Sequence, residues 1–218
     1  MAKKTKKSPK PARTAKRKSK AKSDLPGRII DAALALAVSR GWRRIQLADI
    51  AAEAGITVAE LSAVFSSKSA IIGGFIRRTD ERVLAGGEAE GSSARDRLFD
   101  VLMRRLDALQ PHRQAVTAII WGLVFDPLAP LCHGPRLMCS MARMLEAAGL
   151  SSKGLAGVLR AKGLAVVYMM TFRAWLTDDS ADLAKTMAVL DRGLRQAESL
   201  VTLLCPGGAR RSPQPAEG

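Results

Sequence analysis

The residues best suited to chemistry in this 218-residue chain are cations and small hydrogen-bonding side chains, and both kinds lie in its first third. Lys3, Lys4, Lys6, Lys7, Lys10, Arg13, Lys16, Arg17, Lys18, Lys20 and Lys22 precede Asp24 with no acid among them. They account for most of the net charge of +15 and leave the remainder nearly balanced. The segment has almost nothing apolar to bury, and Pro9 and Pro11 oppose a helix, so residues 1–24 are expected to stay unfolded. Its chemistry is that of a polycation for nucleic acid or an anionic surface, with a solubilising extension as the plainer alternative. Farther on, Gln46 and Lys68 are placed to meet phosphates. Thr57 and Ser62 can donate to a phosphate or a base edge, and Val58 or Ala59 could touch a thymine methyl. No Arg, Lys, Asn or Gln stands between Thr57 and Phe65, so bidentate base reading has no candidate there.

These side chains need short helices held at a fixed angle. Ile29, Ile30, Ala33, Leu34, Ala37 and Val38 fall on one helical stripe that Gly41 stops. Leu47, Ile50, Ala51 and Ala54 mark a second, short helix. Gly55 then supplies a turn, and Thr57 can cap a third helix that holds Leu61, Val64 and Phe65 inward. Such a wedge fits a DNA major groove; an ordinary three-helix packing unit is the simpler alternative.

Ala32-Ala33, Gly41, Asp49-Ile50-Ala51, Ala54-Gly55-Ile56, Leu61, Phe65 and Lys68, followed by a helix over residues 69–85, occur in the order seen in one family. The segment resembles the N-terminal domain of the tetracycline-repressor family of bacterial regulators. The resemblance implies an all-α fold, with a helix-turn-helix domain at residues 25–85 and a helical ligand-binding and dimerisation domain at 92–204. It also implies double-stranded DNA as the partner. Where the family usually has a basic or polar residue early in the third helix, and an aromatic plus a histidine near its end, this chain has Val58, Ser62 and Ala63. The basic tail lies directly ahead of the first helix, as do the minor-groove arms of homeodomains.

The body reads as helices throughout. Ser92 or Ser93 caps a helix to about Leu109, and Pro111 opens another to about Phe125, ended by Asp126-Pro127. Residues 127–134 are expected to form a loop, Pro135 to start a helix closed by Gly149, and two longer helices to cover about 155–176 and 180–204. Residues 205–218 are expected to be unfolded. In the last helix Leu183, Met187, Leu190, Leu194, Ala197, Val201 and Leu204 keep alternating spacings of four and three, a heptad seam. Gly193 beside it would allow another helix close. In tetracycline-repressor-like proteins the last two helices pair with their copies, so Met187, Leu190, Gly193, Leu194, Ala197 and Val201 are expected at a homodimer interface. Trp121, Met141, Met144, Tyr168, Phe172 and Trp175 could line a pocket for an apolar or lipid-like effector, or simply form core.

A second resemblance covers Trp175 to Ser180, Asp182-Leu183, Thr186-Met187, Leu190 to Arg192 and Leu194, with Gly41-Trp42. These look like the end of the ubiquinone-biosynthesis accessory proteins, lipid binders of the same fold, and imply an alternative function without specific DNA binding. Catalysis has little support. His112 and His133 are the only histidines, and no nucleophile elbow or glycine-rich phosphate cradle occurs. Cys132, Cys139 and Cys205 form no metal-binding spacing, and an odd, sparse set fits a reducing cytoplasm, where the chain would associate with the nucleoid. No cofactor or metal is expected. No membrane span is expected either, because the most apolar run is bounded by Lys162 and Arg173.

Overall fold

The computed structural model describes residues 24–124 and 129–204, apart from the side chains at 129–132 and 200–204. Among the described residues there are nine α-helices and no strand. The basic tail (Lys16, Arg17, Lys18, Lys20 and Lys22 included), Asp126-Pro127, the tail after Leu204 and the Val201 side chain lie outside the described residues.

Helix α1 spans Leu25–Arg40, with Pro26 in the first turn, where its missing N–H would lack a helical partner anyway. It stops at Gly41, whose φ of 77° suits glycine, and a 3-10 turn follows at Trp42–Arg44. Helices α2 (Leu47–Glu53) and α3 (Val58–Val64) are joined through Gly55 at φ 65°. Helix α4 (Lys68–Leu84) starts where the Ser67 hydroxyl accepts from the Ala70 N–H at 3.1 Å. Ile29, Ile30, Ile50, Leu61, Phe65, Ile71 and Phe75 close the small core between these helices. A Cβ at Gly74 would lie 2.7 Å from the Phe65 ring, so glycine sets how near α4 comes to α3.

The body comprises α5 (Ala94–Leu109), a 3-10 turn at Gln110–His112, α6 (Arg113–Leu123), α7 (Ala129–Ala147), α8 (Gly154–Leu176) and α9 (Ala184–Leu204). Ser93 caps α5 in a box with Asp96, as expected for one of the two serines. Helix α7 departs from the sequence expectation: it begins at Ala129 and carries Pro135 in its interior. A proline removes a single backbone donor, so the helix continues through it at a local cost of about 3 kcal/mol. Helix α9 begins four residues later than expected. Asp178, fully buried, accepts from the Thr186 N–H at 2.8 Å and the Thr186 hydroxyl at 2.7 Å, and also from Ser180, forming the loop that launches α9. Those hydrogen bonds, Ser180's above all, hold its carboxyl below the usual carboxylate range.

Helix α1 packs on α2, α4 and α6, and α4 packs on both α5 and α7, so the N-terminal unit and the body share two seams. The buried Asp80 of α4 pairs there with Arg105 of α5 and accepts from the Ser140 hydroxyl of α7 at 2.9 Å. The Arg105 guanidinium also lies 5.2 Å from the Tyr168 ring of α8. Helix α8 is 23 residues long and apolar enough to cross a bilayer by length and composition alone. It is a core helix of the bundle, lying against α7, α9 and α5.

Candidate nucleic-acid interface

Helix α3 projects from the small core by one buried side chain, Leu61, with Phe65 sealing its end. The opposite face carries Val58, Ala59, Ser62 and Ala63, all exposed. Offsets of one, four and five residues put them on a single side of the helix. Val58 is 46% exposed although it is a β-branched aliphatic residue, which no demand of the small core explains.

The polar residues around this face are largely engaged by the fold. The Thr57 hydroxyl accepts from the Glu60 N–H at 3.2 Å and donates to the Glu60 carboxylate at 2.9 Å, which also accepts from the Thr57 N–H at 2.8 Å. This capping box stabilises the start of α3 by about 1 kcal/mol and explains the acid in what would be a reading helix. It also corrects the expectation for Thr57, whose hydroxyl serves the cap. Gln46 is exposed and stands at the N-cap of α2, its N–H donating to Asp49 at 2.7 Å. Ser62 lies in the middle of the open face.

Lys68 does not do what its sequence position suggests. Its ammonium donates to the carbonyls of Trp42 at 2.6 Å and Ile45 at 2.9 Å, and sits 4.8 Å from the Trp42 ring. Burial pushes its pKa down. The residue thus latches α4 to the turn preceding α2 and is turned away from a phosphate role. Two cations that the sequence expectation omits, Arg43 and Arg44, are exposed in that turn. Adjacent arginines just before a helix start were the available signal.

The expected interface and pocket residues are also placed. Leu190 and Leu194 are buried within the chain, Met187 and Ala197 are half-buried, and a Cβ on Gly193 would come within 2.9 Å of Val167 on α8. The helix that Gly193 admits is therefore α8 of the same chain, a correction to the dimer assignment. Met141, Met144, Tyr168, Phe172 and Trp175 are all buried in α7 and α8, the last three with their rings in sequence at 5.7 and 5.4 Å. Trp121 stands apart at 65% exposure, because α6 turns Ala115, Val116 and Ile119 inward and position 121 lies about 200° round from Ile119. Cys139 is exposed, and the Cys132 side chain and Cys205 lie outside the described residues.

The outward face of the body is on α8. Leu155, Val158, Leu159, Val166, Met169 and Met170 are exposed, Leu155 to 88%, and Gly163 among them faces open space. Leu159, Gly163, Val166 and Met170 follow spacings of four, three and four, a helical stripe.

Residues 29–73 match the family model of the bacterial regulatory proteins of the tetR family. The chain is also similar to a solved TetR transcriptional regulator from Nitrosomonas europaea, at 27% identity and a TM-score of 0.64, covering 80% of this chain and 98% of that one. A TetR transcriptional regulator from Rhodococcus sp. RHA1 shares the fold at 19% identity and a TM-score of 0.61, with 82% and 96% covered. No curated protein sequence matches the chain at a significant level.

Proposed function

We propose that this chain, which has the fold and the N-terminal domain of TetR-family transcriptional regulators, binds operator DNA as a cytoplasmic homodimer and represses transcription. The observation that supports this best is the α2–α3 wedge, whose α3 presents an open face of Val58, Ala59, Ser62 and Ala63 while Leu61 anchors it. Two such faces gripping two half-sites require a dimer. The exposed stripe of α8 supplies the apolar surface for one, with Gly163 permitting close approach of the partner helix. The basic tail adds phosphate affinity without sequence preference. The methionine and aromatic layer of α7 and α8 is the part of the body suited to an apolar effector. His112 packs edge-on against Phe75, and His133 lies 3.4 Å from the Ser69 hydroxyl.

Selection of bound duplexes from random DNA, followed by binding at increasing salt, tests this. Ser62→Glu should abolish the selected motif by placing a carboxylate against phosphates. Removal of residues 1–22 should keep the motif and lower the salt slope by about 0.9 for each phosphate that the tail had neutralised. Absence of any motif in the full chain would overturn the repressor function.

A further inference from the structure

The open face of α3 is chemically unusual for a surface that reads bases. It offers the side chains of Val58, Ala59 and Ala63 and the single hydroxyl of Ser62. The other two polar groups nearby, Thr57 and Glu60, close a capping box on each other. Within α3 no guanidinium, ammonium or amide side chain is available. In the major groove guanine is read by a bidentate donor, adenine by an amide that donates to N7 and accepts from the N6 amino group, and cytosine by an acceptor for its amino group. What this face provides is aliphatic surface, and the one aliphatic group a base presents in the major groove is the C5-methyl of thymine.

We propose that α3 reads its operator through thymine methyl groups, so that the half-site is a T-rich tract recognised by Val58, Ala59 and Ala63, with Ser62 as the only polar reader. This rests on α3 being the recognition helix, as proposed above. Val58 is the principal reader, being the largest of these side chains and 46% exposed at the first position of the helix. The occupant is DNA rather than an apolar protein surface because the eleven cations of residues 1–22 connect directly to the unit that holds α3. Phosphate attraction then carries affinity, and the methyl contacts carry the choice of sequence.

The test uses the full chain and the duplex selected from random DNA, resynthesised with deoxyuridine replacing one thymidine at a time. Uracil keeps the base-pairing edge and lacks only the methyl. Binding should weaken by about fourfold for each methyl that α3 touches, the value of roughly one buried methylene-sized group, and by about sixteenfold when both half-sites are changed. In Val58→Ala, at least one of those penalties should shrink toward onefold, while the remaining positions keep theirs. A selected motif that binds equally with thymine and uracil overturns the methyl reading and leaves the regulator function standing. Uracil penalties unchanged in Val58→Ala come from duplex shape and overturn it as well. A chain that selects no motif overturns both.

Discussion

Helices α8 and α9 divide the apolar surface of the body in opposite ways. Along α9 the apolar residues fall into a regular seam, and the structure buries its centre inside the chain: Leu190 has no exposed surface, Leu194 is buried and Gly193 receives Val167 of α8. Along α8 the apolar residues surround most of the helix. One side, with Ala161, Leu164, Tyr168 and Trp175, is buried, and the other, from Leu155 to Met170, is left open. A clean heptad repeat reports that one face is covered, whether by the same chain or another. A helix apolar on every side has more surface than its own bundle can cover, and under the proposed function that excess is where the second copy would seat.

Three substitutions break or sharpen this contrast. Leu190→Glu should have the largest effect, because it buries an unpaired carboxylate in the centre of the monomer. A loss of more than about 4 kcal/mol in urea unfolding is expected, with the folded population collapsing before any question of assembly arises. A folded Leu190→Glu monomer would return the α9 seam to the dimer interface. Val166→Glu should leave helical content by circular dichroism unchanged and weaken the dimer by about a hundredfold or more, since each copy brings a charge to the same apolar contact. Light scattering showing an intact Val166→Glu dimer would remove α8 from the interface.

The smallest effect concerns where α9 begins. The carboxyl of Asp178 is held below its ordinary range, so its contribution is fully present above the unfolded carboxylate pKa of about 4. It is lost as pH falls from there toward the folded value. The thermal midpoint should therefore drop between about pH 5 and about pH 3 more steeply in the natural chain than in Asp178→Asn. Parallel pH profiles for the two would show that the Thr186 bonds do not depend on the charge.

The N-terminal unit was the most legible part because its signals are local. Gly41 and Gly55 adopt the positive φ that their positions call for, and Thr57 acts as a cap. Partner identity was harder. A lysine at the start of α4 reads as solvent-facing, and nothing nearby in sequence announces that the carbonyls of Trp42 and Ile45 lie under it. Three acids at 178, 179 and 182 are equally good caps on paper. Only the fold shows that Asp178 is the buried one, while Asp179 reaches outward to Arg113 at 3.5 Å. Pro135 misled because proline is favoured at helix starts, whereas here it lies inside α7.

Helix α4 is fastened by charge near both ends. Lys68 grips the turn ahead of α2, and Asp80, twelve residues on, is held by Arg105 and Ser140 in the body. At 1.5 Å per residue the two fastenings are about 18 Å apart on one stiff rod. A rod pinned so cannot slip by a turn along its axis without stranding a buried carboxylate, and it cannot rotate without dragging the Trp42–Arg44 turn with it. The motion left to it is tilting. Under the proposed function, a rearrangement among α5, α7 and α8 that moves Asp80 would tilt α4 and, through Lys68, carry the turn ahead of α2 with it.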